Sequence, residues 1–194
     1  MPRARLGPFA ASLRRLYTHQ SFHTSQVPLQ GTRAMSTGGE ERDLTAQNFG
    51  PWPIAPTEIF ATSPLSFAFV NLKPIVPGHV LVSPKAVVPR FTDLSSAQVA
   101  DLWALAQRVG SVLEAHYKVD SLTMAIQDGP HAGQSVPHVH VHILPRVKGD
   151  FEPNDKVYDA LDGNDVKRNL DEDRVARTAE EMAAEAALYR PYFT

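Results

Sequence analysis

The stretch PHVHVHILPR, residues 137–146, has a histidine at every second position and an aliphatic residue after each one. Successive side chains of an extended strand point to opposite faces, so His138, His140 and His142 are expected to share one face. The aliphatic residues between them then point to the other face and pack in the core. The pattern predicts a strand over residues 137–144 that lines a surface with imidazoles.

A row of imidazoles suits metal binding, because His-x-His on a strand can direct two nitrogens at one ion about 2.0–2.1 Å away. His138 and His142 start about 13 Å apart along such a strand, which is unfavourable for a single ion. The chain contains no cysteine, so a zinc site needs another ligand from elsewhere. A zinc hydrolase stays open as an alternative, but we expect no tightly bound metal.

The row also suits nucleophilic catalysis at phosphorus. Imidazole has an ordinary pKa of about 6.5, so it is largely neutral near pH 7 and attacks without the help of a strong base. The phosphoimidazole that forms breaks down readily, because its ring leaves once the second nitrogen is protonated or hydrogen-bonded. His140 has a histidine on each side, so one neighbour can orient it while the other contacts the leaving phosphate.

The triad resembles the signature of the histidine triad superfamily of nucleotide hydrolases and transferases. Within it the chain is similar to the fragile-histidine-triad branch, the diadenosine triphosphate hydrolases. The similarity extends over residues 49–193, and the further matched segments are SFAFVN (66–71), KPIVPGHVLV (73–82), QDGP (127–130), AGQ (132–134), GDF (149–151) and EMAAEAA (181–187).

The resemblance implies a role for each histidine. His140 corresponds to the nucleophile that attacks the alpha phosphorus and becomes nucleotidylated. His138 corresponds to its orienting partner, and His142 to the residue that contacts the phosphate near the scissile bond. His79 corresponds to a fourth histidine that lies close to the triad, so the predicted catalytic set has four members.

The resemblance also implies a set of substrate contacts. They are Asn71, Gln127, Gly133, Gln134, Ser135, Val136 and His142. Asn71 is expected at the ribose, Gln134 at the phosphates, and the backbone of residues 133–136 along the phosphates, because glycine allows backbone N–H groups to approach an anion closely. From the residues alone, Asn71 as a turn residue and Gln127 as a strand-end residue stay open as structural alternatives. Trp52 stands where a polar contact is expected, and Pro137 where a lysine is expected.

Patterns elsewhere predict an α+β domain with the histidine-triad fold. Short strands are predicted over residues 58–61, 66–71, 79–83, 121–127 and 137–144. Capping boxes beginning at Ser95 and Thr178 predict two helices, the second ending near Tyr189, and Pro145 is expected to end the last strand. We therefore expect an antiparallel sheet of about five strands with two helices, and the resemblance implies a two-fold homodimer with a continuous sheet.

Residues 148–177 are charged and lack a sustained apolar period, which predicts a mobile loop in the domain over residues 49–194. Such a loop suits a lid over a nucleotide. Tyr158 within it corresponds to a tyrosine that the family can have phosphorylated, although an exposed loop tyrosine is the simpler interpretation.

Charge is distributed unevenly along the chain. Residues 1–39 hold five arginines and no acidic residue, which leaves 14 basic residues against 21 acidic ones in the remainder. A domain with this net negative charge repels a polyphosphate, so we expect a divalent cation, magnesium or manganese, to accompany the substrate. A nucleic-acid partner is not expected, because a basic face is missing.

Residues 1–45 are predicted to be a mitochondrial transit peptide. The segment bears arginine, serine and threonine, has no acidic residue before residue 40, and lacks the apolar core of a secretory signal. A disordered leader, or translation that begins at Met35, is the alternative. The predicted location is therefore mitochondrial, cytoplasmic or both, and no membrane association is expected because no apolar run approaches about 20 residues.

The predicted function is hydrolysis of a dinucleoside polyphosphate, splitting diadenosine triphosphate into AMP and ADP through a nucleotidyl intermediate on His140. Two alternatives have related chemistry, namely an asymmetric diadenosine tetraphosphate hydrolase and a nucleoside phosphoramidase. A third belongs to another class. It is a nucleotide-binding signalling module in which hydrolysis only ends the bound state.

Overall fold

The computed structural model describes residues 44–162 and 175–193. Its strands are β1 (Gln47–Phe49), β2 (Trp52–Ile54), β3 (Ile59–Thr62), β4 (Ser66–Val70), β5 (Val80–Pro84), β6 (Ser121–Ala125) and β7 (Val141–Arg146). Its helices are α1 (Ser96–Tyr117), α2 (Lys156–Asp162) and α3 (Ala179–Tyr189). Strands β3 to β7 form one antiparallel sheet in the order β3-β4-β5-β7-β6, while β1 and β2 form a separate hairpin. The predicted α+β class with a five-stranded antiparallel sheet is confirmed.

The two predicted helices are confirmed at their capping boxes. Ser95 accepts a hydrogen bond from the backbone of Gln98, whose side chain bonds back to the cap, and Thr178 does the same with Glu181. Each box satisfies two backbone N–H groups that the first turn leaves unpaired. No helix in the described ranges is both long and apolar enough to span a membrane.

The central strands β4, β5 and β7 are buried along their whole length, because both faces of the sheet are covered. Helix α1 packs on one face, where the aliphatic residues of the triad segment join the main core. The other face carries a smaller apolar cluster, which includes Phe49 from the hairpin together with Phe69 and Leu81. Leu81 pairs with His142 in the ladder, so the histidine row lies on this second face.

The predicted last strand is wrong at both ends. Strand β7 begins at Val141, so His138 and His140 precede it, and it continues through Pro145. Proline is tolerated there because pairing with β5 ends at Ile143, which leaves residue 145 paired on the β6 side only. The other predicted strands are found within two residues of their expected bounds.

Two elements were not predicted. The hairpin of β1 and β2 consists of three-residue strands with prolines at positions 51 and 53, a composition that does not resemble a strand pair. Helix α2 lies within the predicted loop and buries only Val157 and Ala160, a contact too short to produce a recognisable period. The predicted leader before residue 44 and the part of the loop over residues 163–174 lie outside the described residues.

Candidate active site

The hydrogen bonds of His138 fix which of its ring nitrogens carries the proton. The backbone N–H of Gly50 donates to Nδ1 over 3.1 Å, and the carbonyl of Ala86 lies 3.1 Å from Nε2. An amide only donates and a carbonyl only accepts, so Nε2 bears the hydrogen and the ring is neutral. His138 is completely buried and both nitrogens are occupied, which suits an orienting residue.

His140 presents the opposite tautomer. Its Nδ1 lies 2.7 Å from the carbonyl of His138, so Nδ1 carries the proton and Nε2 keeps its lone pair. In the described part of the chain, no side chain or backbone group forms a hydrogen bond with Nε2. The ring is only 4% exposed, so the protein shields it from bulk solvent. His140 therefore has the protonation state that a nucleophile needs.

His79 and His142 form a hydrogen-bonded pair in which the direction of donation is also fixed. The backbone N–H of Ile75 donates to His79 Nδ1, so His79 Nε2 carries the proton and donates to His142 Nδ1 over 2.9 Å. The remaining nitrogen of His142, Nε2, then carries a hydrogen. This atom is buried and has no hydrogen-bond partner among the described residues. A buried N–H donor without a partner, beside the nucleophile, suits an oxygen of the substrate.

The β1–β2 hairpin supports the row and was not recognised from the sequence. Phe49 packs its ring edge-on against His140, with 5.0 Å between centroids, and also contacts His138. Gly50 follows in a left-handed conformation with φ of 57°, and a Cβ there would lie 2.8 Å from Val136. Glycine is therefore required for its N–H to reach the ring of His138. Trp52 lies opposite Phe49 in the hairpin and is 53% exposed, so it does not pack in the core.

Burial keeps the three triad histidines neutral. It lowers the pKa of His138 and of His140 from the ordinary histidine value. Burial, and then the neighbouring imidazoles of His140 and His79, lower the pKa of His142 further. Loss of hydration disfavours the charged form of each ring, and a second charge among close rings is disfavoured as well. The nucleophile therefore stays uncharged at a pH at which a histidine exposed to solvent is already protonated.

This arrangement predicts that the protein loses stability as pH falls below about 6.5. At a pH between the lowered pKa of a buried histidine and its ordinary value in the unfolded chain, the unfolded chain binds more protons than the folded protein. The stability that these histidines contribute is therefore present above this pH window and is lost as pH falls through it. Each unit by which a histidine pKa is lowered corresponds to about 1.4 kcal/mol. Urea midpoints measured from pH 7.5 to 5 should fall, and His142→Asn should flatten this dependence. A midpoint that does not change with pH contradicts the assignment of neutral buried rings.

The predicted ribose contact, Asn71, follows β4 and lies beside the histidines. Its Oδ1 accepts from the backbone N–H of Lys73 over 3.0 Å, and its Nδ2 lies 3.4 Å from His79 Nδ1, the ring nitrogen without a hydrogen. The turn role that the sequence left open is therefore present. The position beside His79 also leaves the residue at the edge of the site.

The predicted phosphate contacts form a loop held together by its own side chains. Gln134 accepts from the backbone N–H of Gly129 and donates to the carbonyl of Pro89, so both ends of its amide are engaged. The Nε2 group carries two hydrogens, so the second one is available to donate to a phosphate. Ser135 is exposed, whereas Val136 packs against the smaller apolar cluster.

Gln127 and Gly133 meet a residue that the sequence analysis did not single out. Gln127 donates to the carboxylate of Asp162, the last residue of α2, over 2.7 Å. Gly133 has φ of 84°, and a Cβ on it would lie 2.4 Å from Gln127 and 2.9 Å from Asp162. A carboxylate thus lies against the loop that was predicted to bind phosphate.

Hydrogen bonds within the protein occupy several nitrogens of the histidine row. His138 has no free lone pair, and His140 and His79 each use Nδ1 on a backbone group. Over residues 44–162 and 175–193, no group of three or more histidine, aspartate or glutamate side chains is arranged to hold a metal ion.

Comparison with known proteins places this site in a family. A family model for the HIT domain matches residues 53–149. The chain is 58% identical over 149 residues to the bifunctional bis(5'-adenosyl)-triphosphatase/adenylylsulfatase FHIT of Arabidopsis thaliana, covering 75% of this chain and 83% of that protein. It is 51% identical over 150 residues to the bis(5'-adenosyl)-triphosphatase of Dictyostelium discoideum, covering 77% and 95%.

Solved structures agree with the sequence comparisons. The crystal structure of Plasmodium falciparum diadenosine triphosphate hydrolase in complex with cyclomarin A has a TM-score of 0.64 at 28% identity, covering 79% of this chain and 87% of that one. The Caenorhabditis elegans NitFhit protein has a TM-score of 0.63 at 43% identity, covering 82% of this chain and 31% of that larger one. The chain therefore belongs to the HIT domain family, in the branch of the FHIT-type bis(5'-adenosyl)-triphosphatases.

Proposed function

We propose that this protein hydrolyses diadenosine triphosphate to AMP and ADP through a covalent intermediate on His140. The observation that carries the proposal is the tautomer of His140, whose Nδ1–H is bound to the carbonyl of His138 so that Nε2 keeps its lone pair. The identity to two bis(5'-adenosyl)-triphosphatases supports the choice of substrate.

The first step joins His140 Nε2 to the alpha phosphorus and breaks the bond from that phosphorus to the bridging oxygen, which leaves with ADP. The ring of His140 becomes positively charged, because Nδ1 keeps its hydrogen. The carbonyl of His138 accepts a hydrogen bond from this Nδ1–H and so stabilises the positive charge. The Nε2–H of His142 donates to the departing oxygen, on which negative charge develops. In the second step water attacks the phosphorus and the bond from phosphorus to His140 Nε2 breaks, so that its electron pair returns to the ring. AMP leaves with the oxygen of the water, a proton is released to solvent, and the neutral ring of His140 is restored.

The test is a search for the intermediate. The protein is incubated with diadenosine triphosphate in H₂¹⁸O, quenched in alkali and digested, and the peptide that contains His140 is examined by mass spectrometry. We expect a fraction of this peptide to carry one AMP, and the label to appear in AMP and not in ADP. Hydrolysis at full speed with no adduct, or with label in ADP, contradicts the proposal.

Adenylyl sulfate is a second candidate substrate. The Arabidopsis relative, which is 58% identical, is named as an adenylylsulfatase as well as a triphosphatase. Attack by His140 on the phosphorus of adenylyl sulfate gives the same AMP adduct and releases sulfate. The adduct experiment with adenylyl sulfate in place of the dinucleotide therefore tests this activity directly.

We further propose that a magnesium or manganese ion accompanies the polyphosphate. The carboxylate of Asp162 lies against Gln127 and Gly133, at the loop predicted to bind phosphate. Two negative groups at one place repel each other unless a cation lies between them or the carboxylate moves. The KM for diadenosine triphosphate should fall when magnesium is added, and it should depend less on magnesium in Asp162→Asn.

The expected two-fold homodimer is also a proposal, and strand β6 supports it. Among the described strands, β6 lies at the edge of the sheet and has β7 as its one neighbour. Met124 on this strand and Trp103 on α1 are 36% and 39% exposed, and they line one groove with Leu122. An unpaired edge beside exposed apolar side chains is well suited to pair with the same edge of a second copy.

Met124→Lys should convert the dimer to a monomer, because it places a charge in the paired edge. Leu188→Lys is the matched control, since Leu188 is 55% exposed on α3 and lies outside this groove. Sedimentation velocity should give half the wild-type mass for Met124→Lys and an unchanged mass for Leu188→Lys. A monomeric wild type, or a dimer that survives the charge at position 124, rules out this interface.

A further inference from the structure

Ser83 places a hydroxyl group inside the sheet at the point where the histidine segment leaves the ladder. The register between β5 and β7 ends at Val82 and Val141, so the next residues toward the triad are not paired strand to strand. Ser83 is completely buried there. Its Oγ donates to the carbonyl of Val139 over 2.7 Å and lies 3.2 Å from His138 Nε2.

Both bonds of the hydroxyl have a defined direction. Nε2 of His138 carries a hydrogen, as its contact with the Ala86 carbonyl requires, so Ser83 Oγ accepts from the ring while its own hydrogen goes to Val139. The N–H of Val139 is held separately by the carbonyl of Val88 over 2.8 Å. The Ser83 hydroxyl and the Val88 carbonyl together thus bind the two backbone groups of Val139, which has no strand partner.

The Val139 carbonyl belongs to the peptide group that carries His140. Fixing this carbonyl limits rotation of the backbone that sets the direction of the His140 ring. The bond to His138 acts in the same sense, because the carbonyl of His138 accepts Nδ1–H of His140 over 2.7 Å. A displacement of about 1 Å at a reacting group can cost on the order of 100-fold in rate.

We infer that Ser83 is a positioning residue for the nucleophile, acting through His138 and the Val139 carbonyl on the direction of His140 Nε2. This inference rests on the proposed function only in taking His140 as the nucleophile. Ser83 has no exposed surface, so we expect it to make no direct contact with the substrate. Its removal should therefore lower kcat and leave KM for the dinucleotide nearly unchanged.

The neighbouring strand offers a matched control. Ser66 on β4 is also completely buried, and its Oγ has no hydrogen-bond partner in the described part of the chain. It pairs across the ladder with Pro84, next to Ser83. Ser66→Ala and Ser83→Ala therefore each delete a buried hydroxyl on neighbouring strands. The hydroxyl of Ser66 has no hydrogen-bond partner among the described residues, whereas that of Ser83 has two.

The experiment compares the wild type with Ser83→Ala, Ser66→Ala and Ser83→Cys in the full chain. We expect kcat for diadenosine triphosphate to fall about 10- to 100-fold in Ser83→Ala, with KM within about threefold. Ser66→Ala should stay within about twofold in both. Ser83→Cys keeps a weaker donor of similar volume, so its kcat should lie between the wild type and Ser83→Ala, and it serves as the test variant if the alanine form does not fold.

A second measurement separates this inference from the proposed function. Histidine ¹⁵N spectra of the unliganded protein assign the Nδ1–H of His140, and its exchange with water should be faster in Ser83→Ala than in Ser66→Ala. If the wild type does not hydrolyse the dinucleotide, the proposed function fails, and the exchange rates still test the role of Ser83. Unchanged exchange and kcat in Ser83→Ala, or an equal loss in Ser66→Ala, overturns the inference.

Discussion

His140→Asn is expected to abolish turnover of diadenosine triphosphate while the protein still folds and binds the nucleotide. Asparagine places its amide N–H where Nδ1–H lay, so the bond to the His138 carbonyl can be kept while the Nε2 lone pair is removed. Removal of the nucleophile in a covalent enzyme costs on the order of 10⁶-fold in kcat. The adduct peptide should disappear together with the activity.

Binding has to be measured on the same variant to interpret this loss. The Kd for a non-hydrolysable diadenosine triphosphate analogue, obtained by calorimetry, should stay within about threefold of the wild-type value, because binding does not need a covalent bond. A kcat of the variant within 100-fold of the wild-type kcat contradicts the covalent mechanism. If the variant also replaces the wild type in the cell, the signalling alternative is favoured over an enzymatic role.

The alternation of the triad correctly predicted which faces the side chains take. The aliphatic residues join the core under α1 and the three rings share the other face, although only His142 lies within a strand. The prediction of faces succeeded because the side chains keep alternating back from β7, although residues 136–138 bend and lack ladder pairing. The strand boundary depends on partner strands, which a local pattern does not contain.

The supporting contacts could not be predicted because they come from distant parts of the chain. Gly50 is 88 residues from His138, and Ser83 is 55 residues from it. Nothing in the local sequence of Phe49 or Gly50 distinguishes them from an ordinary turn. Asp162 likewise reaches Gln127 only through the folding of α2 over the loop. The chemistry of the histidines was visible in the sequence, whereas their protonation states required these partners.

His142 gives the second large effect, and it should depend on the leaving group. Its buried Nε2–H has no partner among the described residues and lies beside the nucleophile, with 4.7 Å between the rings of His140 and His142. If this hydrogen stabilises the departing oxygen, His142→Asn should lower kcat for diadenosine triphosphate by about 10²- to 10³-fold. Asparagine places its Oδ1 at the former Nδ1 position, where it accepts from His79 Nε2–H. Its N–H does not extend to the former Nε2 position, so the lost donor is not replaced.

His142→Gln is the matched variant, because its amide N–H reaches the former Nε2 position. It should recover a measurable part of the activity that the asparagine variant lacks. With the p-nitrophenyl ester of AMP, whose leaving group is already a stable anion, both variants should lose far less than with the dinucleotide. A group that stabilises the departing oxygen contributes least with a leaving group that is already a stable anion. An equal loss of activity for the two substrates therefore means that His142 acts on binding or on folding.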